Sequence, residues 1–207
     1  MREHIHKPEE KTLMIGDLIM RCRSIRRFYE DVRIDDETLR QLVDLARMSP
    51  TSANLQPLKF LLCNDPQMNS LVNDHLSWAG YLNNWEGPKP GERPSAYIFI
   101  LGDTNISRTI TADQGIAAHS ILLGATELGL GGCIIASIRR RELRPLINLP
   151  DTYEILLIVA LGKPREEVVL EETGKDGDIQ YWRDENNVHH VPKRPLDELI
   201  IGKLPLR

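Results

Sequence analysis

The sequence is poor in the residues that mark several common protein classes. Only three of its 207 residues are cysteine, and they lie far apart, so neither a disulfide framework nor a cysteine-rich metal site is indicated. Aromatic residues make up 5%, and no apolar run approaches the roughly 20 residues of a membrane span. The net charge of −4 gives no reason to expect a nucleic-acid partner. We therefore expect a cytoplasmic protein with reduced thiols and with neither a membrane nor a nucleic-acid partner.

Hydrophobic patterning divides the chain into alternating helices and strands that fit a single domain over residues 1–207. Short apolar runs predict four strands, at Lys59–Cys63, Ala96–Leu101, Cys133–Ile135 and Tyr153–Gly162. Apolar residues at helical spacing predict five helices, at Leu13–Cys22, Thr38–Met48, Gln67–Trp78, Ser107–Leu128 and Arg139–Arg144. Ser107–Leu128 is apolar on most sides, which is typical of a central helix or of a subunit interface.

The stretch from Ala46 to Gln56, ARMSPTSANLQ, leaves helical chemistry for a stiff polar loop. Pro50 cannot lie in a helix interior, and the serine, threonine, asparagine and glutamine side chains that surround it compete with the backbone for hydrogen bonds. Such a loop is able to hydrogen-bond a planar ligand with polar edges. An ordinary surface connection explains the same residues.

Two basic segments are candidates for binding an anion. Four of the seven residues from Arg21 to Arg27 are arginine, and Ser24 lies among them. Guanidinium groups bind phosphate in a bidentate manner, although a solvated basic helix end beside the negative end of the helix dipole is the alternative. Lys193 and Arg194, between Pro192 and Pro195, form the second basic segment.

Other features narrow the interpretation. The segment Ala79–Pro94 holds Tyr81 and Trp85 among three prolines and three glycines, which indicates either a lid or substrate wall, or a disordered insertion. The paired residues His189 and His190 lack further ligands at useful spacing, so we expect no metal site. The cluster of glycines at 129–132 follows a helix and precedes a strand, which is the reverse of a dinucleotide-binding fingerprint.

Taken together, four segments resemble the FMN-dependent nitroreductases. They are RSIRRF, ARMSPTSANLQPLKF, an alanine-rich helix that runs into GLGGCII, and IVALGKP. Their order and spacing agree with that family from about residue 15 to 200, and the tail YWRDENNVHHVPKRPLDELI resembles a short-chain branch of it. The resemblance implies an α+β fold with a central, mostly antiparallel sheet flanked by helices. It also implies a homodimer with two FMN sites at the subunit interface, and a C-terminal extension, residues 178–207, that reaches towards the partner subunit.

The same resemblance implies where the cofactor is bound. Arg23, Ser24 and Arg26 would lie at the flavin phosphate, ribityl chain and pyrimidine edge, while Lys193 and Arg194 would close on the phosphate. Ile135, Ala136 and Ser137 would line the isoalloxazine ring. The partner subunit would contribute five residues of the polar loop, namely Pro50, Thr51, Ser52, Asn54 and Gln56.

Two positions depart from the family pattern. Many relatives have arginine where this chain has Cys22, and a glutamine–asparagine pair where it has His119 and Ser120.

The activity implied is a ping-pong oxidoreductase in which NADH or NADPH reduces FMN and then gives way to a small electron acceptor, such as a nitroaromatic, a quinone or an enone. Tyr81 and Trp85 would contact the substrate. No side chain is needed as a nucleophile, because the cofactor supplies the chemistry. Two alternatives remain open: a non-catalytic flavin-binding module with a regulatory or storage role, and a relative that fragments the flavin or dehalogenates an aromatic substrate.

Overall fold

A computed structural model describes residues 14–204, and its centre is a five-stranded sheet. The long strand β5 lies between β3 on one side and β4 and β1 on the other, and β2 pairs with the outer edge of β3. Every strand pair in this main sheet is antiparallel, which confirms the expected architecture. The strands are β1 (Phe28–Tyr29), β2 (Leu58–Cys63), β3 (Ala96–Asp103), β4 (Gly131–Ile135) and β5 (Tyr153–Pro164).

Helices cover both faces of the main sheet because side chains alternate along β3. Ile98 and Ile100 pack with α2 and α4, whereas Tyr97 and Phe99 face the side that holds α3 and α5. Each such side chain, when fully buried, contributes about 1.5–3 kcal/mol relative to an exposed one. The helices are α1 (Ile15–Arg21), α2 (Asp36–Arg47), α3 (Pro66–Asn73), α4 (Asp113–Glu127), α5 (Arg140–Leu146) and α6 (Leu196–Leu199).

Between α4 and β4 the chain turns through the glycine cluster. Gly129 has φ 70°, and its N–H caps α4 by donating to Thr126 O, as expected for a glycine after a helix. A Cβ on Gly132 would lie 2.4 Å from Ala160 O and 2.7 Å from a methyl group of Leu122. Glycine at this position therefore lets α4, β4 and β5 approach each other closely.

The remaining strands form a small sheet that the sequence analysis did not predict. It consists of β6 (Val168–Glu172), β7 (Trp182–Arg183) and β8 (His189–Lys193). Strands β6 and β8 are parallel, and β7 pairs antiparallel with the other edge of β8. His189, considered above only as a metal ligand, is the first residue of β8 and is fully buried.

Several helix boundaries differ from the prediction. Helix α4 begins at Asp113 instead of Ser107, because Ser107–Ala112 forms turns that its own side chains stabilise. Helix α3 ends at Asn73 instead of Trp78, since Leu76 and Ser77 pair with Ile138 and Ser137. Leu13, the predicted start of the first helix, lies outside the described residues. No helix between residues 14 and 204 is long and apolar enough to cross a membrane.

Candidate functional site

The basic segment near the N-terminus lies along β4. Ile25 N donates to Gly132 O at 2.9 Å, and Ser24 forms a parallel bridge with Gly132. Arg23 and Arg26, on either side of this contact, line two different cavities. The segment therefore reaches both faces of the sheet at the edge of β4.

Arg26 lines what we call the β4 cavity, with a volume of about 200 Å³. The cavity brings Arg26 together with Ile135, Ala136 and Ser137, three residues that the resemblance placed at the flavin, and with the first residues of the Ala79–Pro94 segment. Cys133 also lines it, and burial raises the pKa of its thiol, which is therefore neutral at neutral pH. A cation beside a largely apolar strand edge suits a flat ligand that carries negative charge or carbonyl groups at one edge.

The small sheet holds the Arg26 guanidinium in place. Arg26 Nη1 lies 3.3 Å from His189 Nε2, and its guanidinium carbon lies 5.0 Å from the centre of the Tyr181 ring. Burial, together with the nearby charges of Arg26 and Arg183, lowers the pKa of His189 to about 4, so the ring is neutral at neutral pH. Because arginine only donates, Nε2 accepts this hydrogen bond and the ring proton is on Nδ1.

Glu166 fixes the backbone of the same segment. Its side chain is fully buried and accepts from the N–H groups of Arg26 and Arg27 and, at 2.8 Å, from Arg183 Nη2. Arg183 in turn lies over the ring of Trp85, with 4.4 Å between the guanidinium carbon and the ring centre. One buried carboxylate therefore links β7, the Ala79–Pro94 segment and the backbone of Arg26.

Glu166 and Tyr181 also contribute to this site, although the sequence analysis did not assign them a role. Tyr181 belongs to an aromatic pair in the tail whose sequence signal was visible, but the sequence gave no indication of what it contacts. Glu166 carries no signal, because a single glutamate after a strand is ordinary.

Arg23 lies elsewhere, in a cavity of about 340 Å³ that Arg21, Gly131 and Glu166 also line. Its Nη2 donates to Ile19 O, while its Nε is buried without a hydrogen-bond partner in residues 14–204. The three residues predicted to act together, Arg23, Ser24 and Arg26, are thus neighbours along the edge of β4 but do not converge on one cavity.

The polar loop lies at the other end of the main sheet. Ser52 donates through N and Oγ to Asp113 Oδ1, at the start of α4, at 3.1 and 3.0 Å. Ala53, Asn54 and Gln56 adopt left-handed backbone angles, and the side chains of Pro50, Ser52, Asn54 and Gln56 are exposed while Thr51 is half-buried. Leu58, the first residue of β2, pairs with Gly102 of β3, and Gly102 pairs with Glu154 of β5. The first residue of β4 pairs with Gly162 of β5. Eight residues of strand separate these two points, about 26 Å.

The remaining predicted residues lie apart from the β4 cavity or on its rim. Lys193 is at the end of β8, four residues or about 13 Å beyond His189, and Arg194 Nη1 pairs with Glu198 at 3.2 Å. Tyr81 contacts Tyr181, with 5.0 Å between the ring centres. Trp85 packs on Arg183, as described above. The part of the chain that the structure describes contains no group of three or more histidine, cysteine, aspartate or glutamate side chains arranged to hold a metal ion.

Comparison with known proteins agrees with this architecture. The Nitroreductase family model matches residues 19–163, which is more than half of the chain. A protein of Archaeoglobus fulgidus named "Putative NADH dehydrogenase/NAD(P)H nitroreductase" is 28% identical over 158 residues, which cover 72% of this chain and 85% of that protein.

Solved structures show the same fold. An FMN-dependent nitroreductase of Clostridium difficile R20291 is 25% identical, with a TM-score of 0.57, over 72% of this chain and 89% of its own. A nitroreductase family protein of Clostridium difficile 630, 19% identical, superposes with a TM-score of 0.64 over 94% of this chain and all of its own.

Proposed function

Because this chain belongs to the nitroreductase family, we propose that it is an FMN-dependent oxidoreductase that uses NADH or NADPH to reduce a small electron acceptor. The observation that carries the proposal is the β4 cavity, where Arg26 faces Ile135, Ala136 and Ser137. The names of the relatives, which mention FMN and NAD(P)H, support the cofactor and the donor. Nitroaromatics, quinones and enones are the acceptor classes we propose.

The residues of the chain fit FMN in their chemistry. Arg26 provides a fixed positive charge, and the β4 edge provides a largely apolar floor for a flat ring. Arg23 has a buried Nε–H without a partner within residues 14–204, which suits a phosphate or ribityl oxygen nearby. Lys193 and Arg194 are exposed cations that would add charge to the phosphate end. When bound, FMN would supply hydride acceptance and donation.

Each side chain then has a defined task. Arg26, held by neutral His189 and by Tyr181, stabilises negative charge at the pyrimidine edge of the ring. Ile135 keeps water from one face of the cavity. Tyr81, whose ring lies beside Tyr181, and Trp85, whose ring lies under Arg183, are the residues we assign to substrate binding, in which donor and acceptor would bind in turn in a ping-pong mechanism.

We also propose that the site is completed by a second subunit. The loop Pro50–Gln56 offers exposed hydrogen-bonding side chains, but it precedes β2, and three strand spacings of about 5 Å each, together with four residues or about 13 Å of strand, separate it from Ile135 in its own protomer. The chain exposes apolar side chains on α1 and in the C-terminal segment, among them Ile15, Met20, Leu196, Leu199 and Ile201. Such a surface favours association. A homodimer places the loop of one subunit beside the β4 cavity of the other.

Two measurements test these proposals. Titration of the purified protein with FMN should show saturable binding at micromolar concentration, and an absorption band near ~450 nm should then bleach anaerobically with NADH or NADPH. Absence of saturable binding would refute the cofactor assignment, and a band that persists with both donors would favour the non-catalytic module.

Light scattering should give twice the chain mass of 23.6 kDa. A monomer that retains FMN would refute the shared site.

A further inference from the structure

A larger cavity lies beside the β4 cavity, and of the residues that line it only Trp85 has a role in the assignments above. It has a volume of about 760 Å³ and lies between the end of α3 and the segment 83–93. We call it the lid cavity. Two tryptophans, Trp78 and Trp85, are among its walls. A volume of this size is suited to a ligand of nucleotide dimensions.

The lid cavity and the β4 cavity share a wall. Trp78 lines both, and its segment runs beside Ser137, whose carbonyl accepts from Ser77 N at 2.9 Å. A ligand in the lid cavity therefore lies one indole ring away from the proposed flavin position. This proximity suits a substrate that spans both spaces.

The walls of the lid cavity offer one aromatic face and many polar groups. Arg183 covers one face of Trp85, at 4.4 Å, and the half-buried ring also lines the lid cavity, where it offers an aromatic surface for stacking. The amide of Asn73 lies at the end of α3 and is nine-tenths buried, and Asn83 and Asn84 face it from the other wall. Amide side chains of this kind pair with the edge of a purine base.

Charged groups at the same cavity suit a diphosphate and a ribose. Arg93 and Lys89 provide two positive charges, while Asp74 and Glu86 provide carboxylates that accept from hydroxyl or amino groups. Arg93 donates through Nη1 to Ser70 Oγ at 2.7 Å and pairs with Asp74 at 3.5 Å, while its buried Nε has no hydrogen-bond partner in residues 14–204. Cations for phosphates, carboxylates for hydroxyls and an aromatic face for a base together match an adenine nucleotide.

The segment 83–93 covers a further hydrogen-bond donor. Trp78 Nε1 is buried without a partner among the described residues. Gly87 covers this edge of the indole, since a Cβ on Gly87 would lie 2.6 Å from Trp78 Cδ1 and 3.3 Å from Nε1. Trp78 Nε1 therefore lies under Gly87, at the wall of the lid cavity.

We propose that the lid cavity binds the adenosine diphosphate half of the nicotinamide donor, while the nicotinamide reaches over Trp78 into the β4 cavity. This inference rests on the proposed function, because it assigns a subsite to the donor of that reaction. Trp85 stacks on the adenine, and Arg93 with Lys89 neutralises the diphosphate. Electron acceptors, which lack this half, do not use the lid cavity.

The test compares two donors that differ only in the adenosine half, NADH and reduced nicotinamide mononucleotide. Trp85→Leu keeps an apolar side chain but removes the stacking face, and Arg93→Gln removes one charge. Each is expected to lower kcat/KM for NADH about tenfold more than kcat/KM for the mononucleotide, since base–aromatic stacking and a charged contact are each of that order. Trp182→Leu is the matched control, because Trp182 stacks on His190 outside both cavities and should leave the ratio of the two donors unchanged.

A binding measurement separates this inference from the proposed function. ADP-ribose, which lacks the nicotinamide, should quench tryptophan fluorescence of the wild-type holoprotein saturably, with an affinity about tenfold weaker in Arg93→Gln. It should compete with NADH and not with the mononucleotide. If ADP-ribose does not bind, or if both donors lose the same factor in the variants, the subsite is refuted. If ADP-ribose binds as expected but neither donor reduces the flavin, the proposed reaction fails and the nucleotide site stands.

Discussion

The main sheet and the small sheet are held by different forces. All eight residues of β3 are buried, and apolar side chains from four helices pack against the two faces of the main sheet. In β6, β7 and β8 only His189 is buried. The small sheet is attached instead through the carboxylate of Glu166, the guanidinium of Arg183 and the ring of Tyr181. The comparison teaches that the fold depends on apolar packing, whereas the orientation of Arg26 depends on a polar attachment.

The largest effect is expected where the main sheet is most tightly packed. In Gly132→Ala the new Cβ would lie 2.4 Å from the backbone oxygen of Ala160, which has no room to move. We expect a loss of about 4 kcal/mol or more in the free energy of unfolding, measured by urea denaturation. Gly16→Ala in α1 is the control, since nothing lies within 4 Å of its Cβ and alanine should stabilise the helix by up to ~1 kcal/mol. Equal behaviour of the two variants would show that the main sheet is not close-packed at β4.

The attachment of the small sheet should weaken when the ion pair between Glu166 and Arg183 is removed. Glu166→Leu leaves the guanidinium of Arg183 buried and the N–H groups of Arg26 and Arg27 without their acceptor. We expect a cost of about 3–5 kcal/mol. Hydrogen exchange should show faster exchange in β7 and β8, with β3 still protected.

A double variant sharpens this test. Glu166→Leu combined with Arg183→Met removes both charges, so part of the loss should be recovered. Recovery of none of it would mean that the carboxylate acts only through the backbone of Arg26 and Arg27. The attachment of the small sheet would then not be an ion pair.

Acid should loosen the small sheet before the main sheet. The pKa of His189 is about 4 in the fold against an ordinary value of 6.5, because of burial and of the charges of Arg26 and Arg183. Between these two values the unfolded chain binds a proton that the folded chain does not. Stability is therefore complete above about pH 6.5 and falls as the pH drops to about 4, by roughly 3 kcal/mol at most.

The measurement is the free energy of unfolding at pH 7 and pH 4.5. His189→Gln, which keeps a side chain able to accept from Arg26, should lose less stability between these pH values than the wild type. His119→Gln, at an exposed position on α4, is the control and should retain the wild-type dependence. An unchanged pH dependence in His189→Gln would show that another group is responsible.

The same contrast between the two sheets explains which strands could be predicted from the sequence. Apolar runs gave the four strands of the main-sheet core to within two residues at each end, for example Tyr153–Gly162 against the observed Tyr153–Pro164. Strands β6 and β8 have half-exposed and charged residues, and Pro192 interrupts β8, so no periodic signal marks them. The family resemblance named Arg26 and Ile135–Ser137 as flavin-site residues, and they line one cavity, whereas Glu166 and His189 act through burial that a single sequence does not reveal.

The smallest effect on stability should come from the exposed end of the small sheet. Arg194 pairs with Glu198 across one helical turn in solvent, so Arg194→Ala should change the free energy of unfolding by less than about 0.5 kcal/mol. If Arg194 closes on the FMN phosphate as proposed, the same variant should weaken FMN binding about tenfold, since a hydrogen bond to a charged group contributes roughly 1.5–3 kcal/mol. Arg47→Ala removes a comparable exposed pair on α2, with Asp44, and should leave FMN affinity unchanged. Equal FMN affinities in the two variants would remove Arg194 from the site, whereas a loss confined to Arg194→Ala would show that the segment following β8 contributes to binding without contributing to the stability of the fold.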